Sequence, residues 1–153
     1  MTPAPILFAA TLAVALSACA QAGERPSVAG EAGHGCPPVE VFAPGAISLE
    51  GSWQWRLSFT PSRQQAYWSH SEGWWPGTRE RATIRSSRRL PGGRWSTPQV
   101  VSFSGTHADM DPFVSPLGTV MLFSSMRPVD GVERGDMDLW LVRRTWHGWS
   151  APQ

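Results

Sequence analysis

Thr60-Pro61 followed by Tyr67-Trp68-Ser69 returns 55 positions later as Ser115-Pro116 followed by Leu122-Phe123-Ser124. Arg88-Arg89 returns at the same offset as Arg143-Arg144. One residue is then lost, because Trp95-Ser96-Thr97-Pro98-Gln99 matches Trp149-Ser150-Ala151-Pro152-Gln153 at an offset of 54. The deletion therefore falls in the short turn after the arginine doublet. A repeat of this length is one supersecondary unit, which buries its apolar face only by stacking on a neighbour. What each unit is made of decides the fold.

In the second copy, Phe113-Val114, residues 119–124 and residues 139–142 are short apolar runs rich in β-branched and aromatic residues, each bounded by Asp, Pro, Gly or Arg. Trp146-x-Gly-Trp149 reads as a tight turn entering a fourth run. The first copy gives the same order over residues 53–59, 66–69, 82–86 and 95–101. Strand, turn, strand, loop, strand, turn, strand is one four-stranded antiparallel blade. No stretch after residue 18 shows convincing helical periodicity. The expected fold is all-β, a partial β-propeller of about two blades over residues 52–105 and 106–153, the second incomplete at its fourth strand. Propellers close with about four to eight blades, so the chain reads as a fragment, a degenerate product, or a subunit completed by others, and self-association through open sheet faces is expected.

The second copy runs Asp109-Met110-Asp111-Pro112-Phe113-Val114-Ser115-Pro116-Leu117-Gly118, then Val120-Met121-Leu122-Phe123-Ser124-Ser125, then Asp138-Leu139-Trp140. This resembles the WD40-like propeller repeat of the TolB type, with its D-x-D-P-x-x-S-P-D-G, F-S-S and D-L-W elements, over roughly residues 52–153. Leu117 stands where that pattern carries Asp, which leaves Gly118 to supply the turn's permissive backbone. The resemblance implies an envelope propeller that binds protein partners; such repeats also occur beside peptidase domains and in peptidoglycan-associated proteins.

Fifteen glycines and fourteen prolines spread along the chain, together with nine tryptophans, favour many short elements joined by turns over disorder. The large indole rings are expected to supply most of the inter-blade packing. All thirteen basic residues are arginine, a bias of base composition rather than chemistry. A formal net charge of +1 lacks the concentrated basic field that nucleic-acid binding needs.

Residues 6–16 are apolar but too short to span a bilayer. They run into Leu16-Ser17-Ala18-Cys19, which resembles a bacterial lipoprotein lipobox. The resemblance implies a signal peptide over residues 1–18, acylation of Cys19, and, with Ala20 next, anchoring to the outer membrane facing the periplasm. A plain signal peptide cleaved near Ala18 is the competing reading. Residues 19–51 then form a tether, flexible or extended over the blades. Cys36 lies in it without an intrachain partner, either a tolerated thiol or a bridge to another chain.

Neither a Gly-x-Ser-x-Gly elbow, a His-Glu-x-x-His helix nor a phosphate-cradling glycine loop occurs. His34, His70, His107 and His147 lack ligand spacing and read as surface or turn residues, so no metal or cofactor is expected. Two Asp-x-Asp pairs, Asp109/Asp111 and Asp136/Asp138, would each share a face if strand alternation holds. Such a pair is a candidate for binding, Ca²⁺ included, but two carboxylates are too few for a site, and capping of strand ends and turns is the favoured role. Trp74-Trp75-Pro76-Gly77 lies in the loop between the second and third strands of the first copy. Adjacent rings there are candidates to stack on a glycan or anchor a protein, or to fold back onto their own blade.

The expected function is a lipid-anchored, cell-envelope binding or scaffolding module, associated with the membrane through its lipid and with an envelope protein or glycan partner. The alternative is a propeller glycosidase using Asp109 or Asp111 with Glu80 as paired carboxylates.

Overall fold

A computed structural model describes residues 37–73 and 82–153. Residues 39–153 form one unit, whose described residues contain strands and turns but no helix. The first sheet is β1 (Trp53–Phe59), β2 (Gln65–Ser71), β3 (Thr83–Arg88) and β4 (Gln99–Val100). The second is β5 (Asp109–Val114), β6 (Val120–Ser125), β7 (Asp138–Thr145) and β8 (Gly148–Trp149). Each is four-stranded, antiparallel and ordered as in the sequence. The protein is thus all-β, two blades in the arrangement of a partial propeller.

The repeat extends to individual hydrogen bonds. In the first turn the Thr60 N–H donates to Gln65 O (2.9 Å), the Arg63 N–H to Thr60 O (2.8 Å), and the Gln65 N–H to Thr60 Oγ1 (3.2 Å). The second turn repeats these as Ser115 to Val120 (2.8 Å), Gly118 to Ser115 (2.8 Å), and the Val120 N–H to Ser115 Oγ (3.1 Å). Arg63 (φ 55°) and Gly118 (φ 71°) hold the same left-handed position. Gly118 has a second reason to lack a side chain, because a Cβ there would lie 3.0 Å from Pro61 Cδ of the first turn. The fourth strands are stitched alike, with the Ser96 N–H on Arg88 O (2.8 Å) and the Ser150 N–H on Arg143 O (2.9 Å). Gln153 goes on to exchange both backbone bonds with Leu141 (2.9 Å each), so pairing along β7 continues past β8 to residue 153.

Each innermost strand carries a bulge at the same repeat position, where Arg56 (φ 54°) and Asp111 (φ 56°) interrupt the ladder. A bulge leaves a backbone group unpaired and turns the strand. The preceding blade takes up the freed amide, since the Asp111 N–H donates to Ser69 Oγ at 2.7 Å. The Val114 N–H likewise donates to Ser58 Oγ at 3.0 Å, and Arg56 Nε lies 3.5 Å from Asp111 Oδ1 across the two bulges.

Between the blades lies the main core of Tyr67, Ile84, Val101, Val114, Met121, Phe123 and Val142. Burial of a large apolar side chain contributes about 1.5–3 kcal/mol, so this seam dominates the packing. Tryptophan plays a smaller part in it than the sequence reading expects. Trp140 and Trp149 lie half-buried against the seam, while Trp146 is 98% exposed and Trp53 half-exposed. Tyr67 OH accepts from Trp149 Nε1 and Arg144 Nη1, both at 3.3 Å, which ties the last strand of the second blade back to the first.

Strand alternation sends Ala66 and Trp68 to the opposite face of the first blade. There they meet Ile47, with Ala43, Phe59 and Trp95 around them. Residues 43–48, placed within the tether by sequence, fold into turns closed by bonds from Ile47 N (2.9 Å) and Gly45 N (2.9 Å). They cover the face that a preceding blade would occupy. The outward face of the second blade, which carries the repeat equivalents of Tyr67 and Ile84, has no such cover among the described residues. Phe113 is 56% and Leu139 75% exposed, and Leu122 is also exposed between them.

Candidate functional site

Alternation would have put Asp109 and Asp111 side by side, but the bulge at Asp111 breaks the period-two pattern and sends the two carboxylates to different partners. Asp109 is fully buried. Its Oδ1 accepts from Arg127 Nη2 at 2.5 Å, and Arg127 also donates to Phe103 O (3.1 Å) and Ser125 Oγ (2.8 Å). The guanidinium lies 5.1 Å from the Phe123 ring centre and 5.3 Å from that of Trp140, a stacking that suits its planar, weakly hydrated charge. Asp111 meets Arg56 instead. The first pair is therefore one buried ion pair and one inter-blade ion pair.

Asp136 and Asp138 do converge, but on a cation of the same loop. Arg134 Nε lies 3.6 Å from Asp136 Oδ1, and Arg134 Nη2 contacts Asp138 Oδ2. The Asp138 hydrogen bond, then the charges of Asp138 and Asp136, push the guanidinium's pKa further up. Each aspartate pair thus spends charge on arginine. Among the described residues no three His, Cys, Asp or Glu side chains converge as metal ligands.

His70 departs from the surface or turn position expected of it. It is a buried residue of β2, with Nε2 3.0 Å from Glu72 Oε1. Glu72 also meets Arg85 Nη2 at 3.3 Å. Its pKa is held below the ordinary glutamate range, first by the hydrogen bond to His70 and then by the charge interaction with it; desolvation opposes this, and the charge of and hydrogen bond from Arg85 add lesser lowering effects. His107 is half-buried and His147 exposed. Cys19, His34, Cys36, Trp74, Trp75 and Glu80 lie outside the described residues.

Sequence reasoning missed an aromatic-lined cavity. It has a volume of about 700 Å³ and is lined by Phe42, Phe59, Thr60, Pro61, Arg63, Arg89, Gly93 and Trp95. Phe42, Phe59 and Trp95 form a ring triad with centroids 5.9–6.1 Å apart. Its signal was the pairing of Phe59 before Thr60-Pro61 with Trp95 after the arginine doublet, joined to Phe42 from a segment with no repeat partner. The open sheet face of the second blade was expected from the sequence, and its residues, Leu122 and Leu139, are the repeat equivalents of the buried Tyr67 and Ile84. A smaller cavity of about 250 Å³ lies at the paired bulges, between Arg56, Leu57, Ser58 and Asp111, Pro112, Phe113. No protein-family model matches the chain, and no curated protein matches it.

Proposed function

We propose that this protein is a lipid-anchored module of the cell envelope that binds or scaffolds another macromolecule and carries no catalytic centre of its own. The observation that supports the binding role is the open apolar face of the second blade, where Phe113 and Leu139 are more than half exposed. Soluble surfaces rarely keep large apolar side chains grouped in this way unless they serve an interaction. The commitment of Asp109 to a buried pair with Arg127 also weighs against the glycosidase alternative, which needs carboxylates free to act as acid and base. The anchor rests on Leu16-Ser17-Ala18-Cys19 and on its likeness to a lipobox; a partner in the periplasm, protein or glycan, rests on the TolB-like repeat.

Cell fractionation of the parent and of Cys19→Ser tests the anchor. The parent is expected in the membrane fraction with an acylated Cys19 by mass spectrometry, and Cys19→Ser in the soluble fraction. Identical partitioning, with no lipid on the parent, sinks the anchored reading. Turnover of any member of a glycan panel by the purified chain sinks the non-catalytic one.

A further inference from the structure

The cavity beside the first blade holds groups that the rest of the fold does not use. Its volume of about 700 Å³ falls in the range of small-ligand sites, about 300–1,000 Å³. The lining combines the ring triad of Phe42, Phe59 and Trp95 with two arginines, Arg63 and Arg89, and includes no acidic residue. Both arginines are exposed, and neither guanidinium has a hydrogen bond or ion pair with any described residue. Arg89 Nη2 lies 3.7 Å from where a Cβ on Gly93 would stand, so its head rests against another residue of the cavity lining.

The second copy shows that the repeat itself does not require this arrangement. Arg144 and Trp149, the equivalents of Arg89 and Trp95, both donate to Tyr67 OH at 3.3 Å. Arg144 also stacks 5.2 Å from the Trp149 ring centre. The equivalent of Arg63 is Gly118, at a left-handed position where glycine is the unstrained residue. Arg63 holds that position at φ 55°, a conformation disfavoured for a residue with a Cβ. The first copy thus keeps one arginine against backbone preference, and leaves a second unengaged, beside the meeting point of three aromatic rings.

Resting on the binding role proposed above, we infer that this cavity binds an acidic oligosaccharide, with a sugar ring laid on the aromatic triad and carboxylates paired with Arg63 and Arg89. Charge selects an anion, because each unneutralised guanidinium presents a planar donor fork that matches carboxylate oxygens. Ring geometry selects a saccharide. Interplanar angles of 87°, 62° and 45° leave no parallel pair of faces to sandwich a flat aromatic ligand. They do offer single ring faces, whose negative quadrupole attracts the C–H bonds of a sugar ring. Inorganic phosphate would leave the rings unused.

Isothermal titration of the full chain with trigalacturonate and with triglucuronate tests this. The comparison ligands are the uncharged methyl ester of each, inorganic phosphate, and trimesate, a flat aromatic tricarboxylate of the same charge. At least one uronide is expected to bind, with its methyl ester weaker by about tenfold or more and with trimesate and phosphate weaker than the uronide. Arg63→Gly, which restores the residue of the second copy and relieves the left-handed position, should weaken uronide binding by about tenfold with the melting temperature little changed. Arg89→Gln should do the same. Equal or tighter binding of the methyl ester, of trimesate or of phosphate overturns the inference. So does parent-like binding by both arginine variants, or no binding of either uronide at millimolar concentration. Failure here leaves the proposed function standing, since that reading is supported by the second blade's open face. Loss of the membrane anchor or turnover of a glycan would sink that function without bearing on whether this cavity binds.

Discussion

The two blades share one backbone plan, yet the faces they turn away from each other have opposite fates. On the first blade, Ala66 and Trp68 are sealed beneath residues 43–48, with Ile47 only 3% exposed. On the second, Leu139 is 75% exposed. Repetition of sequence sets how a sheet is built, through turn, bulge and register, but not whether its face is covered. Cover is supplied by whatever lies beside the repeat. Here the N-terminal flank supplies it to the first blade.

The aspartate pairs carry the same contrast into electrostatics, and the largest expected effect lies there. Arg127→Ala leaves Asp109 buried without its cation and should cost about 3–5 kcal/mol of stability, measured by urea unfolding. Arg134→Ala, on the exposed loop, should leave the unfolding midpoint unchanged within error. Equal losses from the two would dissolve the distinction between a buried and a solvated pair.

Removing the seal comes next. Ile47→Ala should destabilise by about 2–5 kcal/mol and raise the susceptibility of residues 39–52 to proteolysis. An effect confined to about 0.5 kcal/mol would mean that the segment rests on the blade without closing it.

The serines sharpen the comparison on a smaller scale. Ser69→Ala strands the Asp111 amide in the seam and should cost about 1–3 kcal/mol. Ser124→Ala, at the equivalent position, should stay within about 0.5 kcal/mol. A comparable loss at Ser124 would show that its hydroxyl is engaged in solution.

The smallest effect concerns acid. The folded-state pKa of Glu72 lies below its usual value, so its contribution is present above the ordinary glutamate range and is lost as pH falls through the depressed value. Between those limits the parent should lose slightly more stability on acidification than Glu72→Gln. Parallel pH profiles would remove Glu72 from the stabilising groups.

Much of the architecture was readable because the repeat is local. Thr60-Pro61 and Ser115-Pro116 announce the turns, Gly118 announces a left-handed residue, and short apolar runs of about two to seven residues place most of the strands within a few positions. The bulges were not readable, since neither Arg56 nor Asp111 is a residue that demands positive φ, and the ladder breaks there for the sake of the neighbouring blade. Nor was the cover over Trp68. Phe42 and Ile47 sit among Ala, Gly and Pro, whose composition suits a tether as well as it suits a tight apolar clasp. Arg127 carried no motif at all. Its role as partner of Asp109 depends on a fold that brings residues 18 positions apart into contact, so the sequence pointed the aspartates to strand-end and turn capping rather than to arginine.

The most direct measurement is the paired unfolding free energy of Ile84→Ala and Leu139→Ala. These residues occupy the same repeat position, one fully buried in the seam and the other 75% exposed. Ile84→Ala is expected to cost about 2–5 kcal/mol and Leu139→Ala no more than about 0.5 kcal/mol. Equal costs would contradict the account, because the second blade's face would then be as closed in solution as the first blade's seam.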